Sequence, residues 1–142
     1  MTKKNIELRK ILSANDTGDT GAHQAGMLIP KRNPVLLSYF PALDSSEKNP
    51  RALLRFKDEW GGAWQFNFIY YNNRKFGGTR NEFRLTGMTK YLRSEALAAG
   101  DCIILGFDQE GFRTISFERA KPVQADVSGV LRLGNEWRVI SY

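Results

Sequence analysis

Three charged residues, Arg80, Glu82 and Arg84, stand at alternate positions in the stretch YYNNRKFGGTRNEFR, residues 70–84. Side chains of an extended strand alternate between faces. These three therefore project together, while Asn81, Phe83 and Leu85 share the opposite face, with Phe83 and Leu85 placed to enter a core. The chemistry of such a row is recognition. A guanidinium fork matches the O6 and N7 acceptors of guanine, and a carboxylate accepts from the amino group of cytosine. Arg74 and Lys75, on the loop just before, are positioned to meet phosphates. The same pattern also describes a solvated edge strand whose charges prevent edge-to-edge pairing, so this stretch alone leaves both readings open.

A second polar stretch, ANDTGDTGAHQAG, covers residues 14–26. It is long for a connection in a compact domain, and long ordered loops often carry function. Gly18, Gly21 and Gly26 let backbone approach a ligand closely. Asp16, Asp19 and His23 offer donor atoms for a metal, but in a Gly/Thr-rich loop such residues more often organise turns through side-chain hydrogen bonds, and no metal is expected. With one His and one Cys, the Cys/His zinc patterns cannot be built. No nucleophile carries a local motif, and no GxxxxGK[ST] or GxGxxG phosphate loop is present. The Asp…Asp/Glu-x-Lys arrangement that holds magnesium in restriction-type nucleases is not found either, since Asp58-Glu59 runs into Trp60. The chain is thus expected to hold no catalytic centre and to need no cofactor.

At 142 residues the chain fits one domain, residues 1–142, with a full core. A hydrophobic content of 42% with 25% charged residues makes it globular rather than disordered. A net charge of +6 and a pI near 9.6 favour an anionic partner, nucleic acid first. The single cysteine, Cys102, excludes an internal disulfide, and within the apolar run CIILGF it is expected in the core. No run approaches the ~20 apolar residues of a membrane span, and MTKKNIELRK lacks the apolar centre of a signal peptide. A soluble, intracellular protein with no membrane partner is expected.

The elements that must position the two polar stretches are mostly strands. Residues 6–13 read as a strand, and Met27-Leu28-Ile29 as a short one stopped by Pro30. Asn33 and Pro34 open a short helix over 34–40, and 44–50 is a polar, mobile-looking loop. Residues 51–57 and 63–71 form a hairpin about Gly61-Gly62. On the second of these strands Trp64, Phe66, Phe68 and Tyr70 make one aromatic, core-facing side. A short helix over 90–98 ends at Gly100, strands follow at 102–107 and 112–118, and 121–128 links to a last pair, 130–133 with 136–140, around Gly134-Asn135. Trp60, Trp64 and Trp137 read as core or rim packing. About seven strands with two short helices predict a mainly β, barrel-like domain.

The block LSANDTGDTGAHQAG (12–26) together with YYNNRKFGGTRNEFR (70–84) resembles the N-terminal effector domain of the EcoRII restriction endonuclease family, in order, separation and flanking strand pattern. Gly100-Asp101 before CIILGF fits the same pattern. The resemblance implies a DNA-binding pseudobarrel of the plant B-three type, in which two arms grip duplex DNA from opposite sides of the major groove at a 5′-CCWGG-type site. The N-terminal arm would hold Asn15, Asp16, Thr17, Asp19, Thr20, His23 and Gln24. The C-terminal arm would hold Arg74, Lys75, Arg80, Asn81, Glu82 and Arg84. It further implies a separate C-terminal nuclease domain, dependent on magnesium, in a prokaryotic cytoplasmic enzyme of which this chain is the N-terminal part, and a domain that acts as a monomer. The chain departs from the best-known member at Gly78 and Phe83, basic there, and at Leu28, aromatic there.

Within that expectation, Asn15, Gln24 and Asn81 either contact adenine or close turns, and Asn15 is read as a turn residue. His23 either contacts base or phosphate or fixes its own loop. Competing readings are a single-strand or RNA binder that uses the aromatic face, a stand-alone DNA-binding regulator, and a complete nuclease.

Overall fold

The computed structural model describes residues 6–17, 26–120 and 137–141. Its strands are β1 (Ile6–Ile11), β2 (Met27–Ile29), β3 (Arg51–Lys57), β4 (Ala63–Tyr71), β5 (Glu82–Thr86), β6 (Cys102–Phe107), β7 (Arg113–Glu118) and β8 (Trp137–Ser141). Short helices are α1 (Ala14–Thr17), α2 (Pro34–Ser38) and α3 (Thr89–Ser94), and a 3-10 turn covers Asn73–Phe76. The described residues thus hold eight strands where about seven were expected, and three short helices where two were. None of the helices is long and apolar enough to cross a membrane among the described residues.

All eight strands join one sheet in the order β2-β5-β4-β3-β7-β6-β1-β8. The sheet curls into a nearly closed barrel. Two thin seams hold it in that shape. β3 and β7 run parallel and share only the Lys57–Thr114 pair, backed by the ion pair Lys57 Nζ–Asp108 Oδ2 at 2.7 Å. The two edge strands are bridged by the Trp137 indole, which donates to the Leu28 carbonyl at 2.9 Å. Trp137–Ser141 pairs with β1, while the expected partner at 130–133 and the Gly134-Asn135 turn lie outside the described residues.

The core is built from alternate residues of these strands and closed at one end by α2. Asn33 caps α2, accepting from the amides of Val35 and Leu36, with Pro34 at its first turn. This satisfies donors that the helix itself cannot. The fully buried Tyr39 just beyond donates to the Gly106 carbonyl at 2.8 Å. On β4, Phe66 and Phe68 are buried as their alternation requires. Phe40, Phe68 and Phe83 stack in sequence, at 4.4 and 5.4 Å, and Tyr70 stacks on Phe83 at 4.4 Å. Such offset ring contacts stiffen a layer beyond their area burial.

Several local expectations are corrected. α3 stops at Ser94 rather than near residue 98, because Ala96 takes φ 51, a backbone conformation no helix continues through. Cys102 is half-buried, since Ile103 and Leu105 take the core positions of β6; burial still pushes its thiol up. Trp60 is 68% exposed at the β3–β4 turn, whereas Trp64 packs edge-on against Tyr91 and Trp137 is buried. The 44–50 loop is pinned by the buried Asn72, whose amide donates to the Ser45 and Glu47 carbonyls and accepts from the Asn49 amide.

Residues 14–17 begin the long polar stretch as a helical turn, and it is anchored inside the protein. Lys10, at 0% exposure, meets the carboxylate of Asp16, itself 7% exposed, and that carboxylate also accepts from the Ser13 amide at 2.9 Å. Removing one partner of a buried pair leaves an uncompensated charge. Lys10→Met is accordingly expected to lower the unfolding free energy by about 3–5 kcal/mol. Adding Asp16→Asn, which keeps an acceptor for the Ser13 amide, is expected to restore much of it. Urea unfolding of the two variants measures both.

Candidate nucleic-acid interface

The C-terminal arm grows out of the β4–β5 connection. After Tyr71 the chain makes the 3-10 turn that carries Arg74 and Lys75, both exposed, and ends at Gly77 with φ 90. The arm folds back on itself through the Arg74 amide donating to the Arg80 carbonyl at 3.0 Å and the Gly78 amide to the Asn73 carbonyl at 2.7 Å. A Cβ at Gly78 would stand 2.7 Å from the Asn73 Cβ, so any side chain there requires a differently shaped arm. The departure at Gly78 is therefore built into the local packing.

Arg80 lies just before β5, and Glu82 and Arg84 lie within it. All three side chains gather on the outer face, 36%, 26% and 21% exposed. Glu82 is shared by the two arginines, accepting from Arg80 Nε at 3.0 Å and from Arg84 Nε at 3.0 Å. Each guanidinium has a second hold. Arg80 lies 3.8 Å over the Tyr71 ring, a cation–π contact, and Arg84 Nη1 donates to the Gly26 carbonyl at 2.8 Å. On the opposite face Leu85 is fully buried and Phe83 joins the aromatic stack. Asn81 is turned away from the row: its side chain accepts from the Tyr70 hydroxyl at 2.6 Å and its carbonyl from Lys31 at 3.1 Å.

The base of the N-terminal arm reaches the same place. Asp16, Gly26 and Arg80 line one cleft of about 410 Å³, whose floor includes Asn67, Ile69 and Tyr71 of β4 and Thr86 of β5. Gly26, at φ 85, is where the arm returns; a Cβ there would sit 2.5 Å from the Leu85 carbonyl oxygen. Glycine is thus required both for conformation and for the close approach to β5. Asn15 is exposed and Thr17 half-buried, with its hydroxyl donating to the Ala14 carbonyl. Asp16 is corrected from an outward polar group to an internal anchor, its carboxylate held by Lys10 and the Ser13 amide. Asp19, Thr20, His23 and Gln24 lie outside the described residues.

Two features of the cleft escaped the sequence reading. Arg51, an exposed residue of β3, reaches its lining, and Tyr71 supplies the ring beneath Arg80. The first had a signal: in RALLRFK the cations at Arg51, Arg55 and Lys57 alternate with Ala52, Leu54 and Phe56, which marks an outward basic row on a strand. The second had none, because ring stacking depends on the β4–β5 register that sets Tyr71 opposite Glu82. Among the described residues no three His, Cys, Asp or Glu side chains converge to hold a metal.

Residues 2–116 match the family model described as restriction endonuclease EcoRII, N-terminal. The chain belongs to this family of N-terminal DNA-binding domains. It is similar to the type II restriction enzyme EcoRII of Escherichia coli, 42% identical over 80 residues, which cover 54% of this chain and 19% of that enzyme. Its fold is that of the B3 DNA-binding domains. It matches the Arabidopsis FUS3–DNA complex with TM-score 0.61 at 22% identity, over 80% of this chain and 96% of that one. It also matches the B3 domain of the UbaLAI restriction endonuclease, determined with cognate DNA, with TM-score 0.51 at 21% identity over 79% and 65% of the chains. The chain spans about a fifth of the length of the restriction enzyme it matches.

The charge balance of the row makes a measurable expectation. Burial acts to raise the Glu82 carboxyl, but hydrogen bonds and charge from Arg80 and Arg84 outweigh it and hold the group below its ordinary value of 4.5. A carboxyl depressed in this way stays ionised through that ordinary value, and the clasp loosens only as pH falls through the lowered one. An NMR titration of the Glu82 side chain should place its midpoint below 4.5, and Arg80→Gln should move that midpoint upward.

Proposed function

We propose that this chain is the recognition domain of an EcoRII-type restriction enzyme, binding duplex DNA at a 5′-CCWGG-type site with both arms in the major groove. One observation carries the reading: Arg80, Glu82 and Arg84 form a partly exposed, mutually oriented row, and Arg80 at its end lines a cleft that the base of the N-terminal arm also lines. From Arg80 to Arg84 an extended chain covers ~13 Å at ~3.3 Å per residue. That length equals about four base-pair steps of ~3.4 Å, the scale of a five-base-pair site. Two arginine forks and one carboxylate are suited to the guanine and cytosine edges that dominate such a site.

The free protein satisfies these groups internally, so binding exchanges partners without exposing bare charge. Arg80 keeps its seat on Tyr71 and Arg84 its bond to Gly26 while their forks turn to bases. Arg74 and Lys75, exposed on the arm, meet phosphates. Among the N-terminal arm residues, Asn15, Thr17, Asp19, Thr20, His23 and Gln24 carry the contacts from the other side, with Asp16 setting their origin. The single-strand reading finds less support, because the aromatic side of β4 is spent on the core, with Phe66 and Phe68 each 1% exposed. Bond breaking belongs to a separate C-terminal nuclease domain with its own magnesium, in a cytoplasmic enzyme, and this domain binds as a monomer without a cofactor.

The test is binding of the protein to a CCWGG duplex and to a scrambled duplex across a salt series. Strong preference for the first is expected, with affinity falling steeply as salt rises. Arg80→Ala and Arg84→Ala should each cost ~1–3 kcal/mol on the CCWGG duplex and little on the scrambled one. Equal binding of the two duplexes by folded protein would overturn the reading, as would cleavage of plasmid by this chain with magnesium alone for the assignment of catalysis elsewhere.

A further inference from the structure

Arg51 stands apart from Arg80, the other arginine that lines the cleft. It opens β3 and faces outward, paired in register with Ile69 of β4, which in turn pairs with Arg84 of β5. With neighbouring strands ~4.8 Å apart, Arg51 and Arg84 lie on the same outer face two strands apart, and Arg51 lines the cleft. Its guanidinium has no hydrogen bond, ion pair or ring contact among the described residues, and it is exposed. Arg9, Lys57 and Arg119, by contrast, are matched: Arg9 by Glu7 and Glu118, Lys57 by Asp108, Arg119 by Asp101.

We propose that Arg51 is a phosphate-holding residue on the cleft floor, outside both arms. The proposal rests on the cleft being a duplex-binding surface. The contrast with Arg80 and Arg84 decides the kind of contact. Those two forks are oriented, one by Glu82 and the Tyr71 ring, the other by Glu82 and the Gly26 carbonyl. Reading a base edge requires such fixed geometry. Arg51 has no orienting partner, and an unfixed cation suits a phosphate oxygen, which accepts from many directions and carries no sequence information. The shared carboxylate also leaves the Arg80–Glu82–Arg84 group with a single net positive charge. Arg51 therefore supplies a full unneutralised charge at the floor, where a backbone crossing between the arms would pass.

The experiment compares Arg51→Gln with Arg55→Gln. Arg55 is exposed on the same strand face but does not line the cleft, so the two variants lose the same charge at different places. Each is titrated with the CCWGG duplex and the scrambled duplex over a salt series, with thermal melts confirming the fold. Loss of one phosphate contact removes about 0.9 from the salt slope, which is on the order of eightfold in affinity at 0.1 M salt. Arg51→Gln is expected to weaken both duplexes by this same factor and flatten the slope, while Arg55→Gln stays near the unmodified protein. Unchanged binding by Arg51→Gln would overturn the proposal. So would a loss confined to the CCWGG duplex, or equal losses from the two variants, which would reduce the effect to general charge. If the unmodified protein binds duplexes without discriminating, the sequence-reading assignment fails while the Arg51 comparison remains decisive.

Discussion

One carboxylate held between two guanidiniums governs the binding face. Glu82 accepts from both Arg80 and Arg84, and each arginine is tied once more, to the Tyr71 ring or the Gly26 carbonyl. Five groups from three segments are thereby fixed relative to one another. Long charged side chains on a surface strand ordinarily keep most of their rotamer freedom and would surrender it on contact with a ligand. Here much of that freedom is already gone. The arrangement is preorganised, which lowers the ordering cost of any contact it makes.

The row is rigid because of what lies behind it. Phe40, Phe68, Phe83 and Tyr70 stack through the β4–β5 layer, and Leu85 is sealed in the core. Alternation along β5 therefore couples burial to display: each inward residue that packs fixes an outward neighbour. On the other side of the cleft, the Lys10–Asp16 pair plays the corresponding part. It plants the first turn of the N-terminal arm in the protein interior, and Gly26 brings the returning chain against β5 at a distance that no side chain would permit. Both ends of the described first stretch are thus tied to the barrel, with Arg84 bonded across to Gly26.

A barrel closed by thin seams, a single β3–β7 pair and one indole hydrogen bond between edge strands, brings Asp16 and Gly26 to the same cleft as Arg80. The matched region of EcoRII is a small fraction of that enzyme, and the same fold occurs in the Arabidopsis FUS3–DNA complex. Fold alone does not fix function, which depends on the side chains that the barrel carries.

Much of this was readable in order along the chain. Alternation predicted β3, β4 and β5 and the common face of Arg80, Glu82 and Arg84, because a period of two is a local property of extended backbone. Asn33-Pro34 predicted the start of α2, since capping is decided within one turn. The matched blocks at 12–26 and 70–84 pointed to the family. Other features were invisible there. Nothing near Lys10 signals that it is fully buried, nor that Asp16 faces inward to meet it, because the partner is supplied by a helical turn that exists only once Ser13 and Asp16 hydrogen-bond to each other. The last strand was legible by itself, but its pairing with β1, more than a hundred residues away, was not. Cys102 looked buried by composition and is half-exposed by register. Short-range chemistry, then, chose the strands, the caps and the charged row. Which strand edges met, which charges became internal, and how Asp16 and Gly26 came to line one cleft with Arg80 were decided by barrel closure, a long-range pairing whose energy is spread over contacts that no single segment contains.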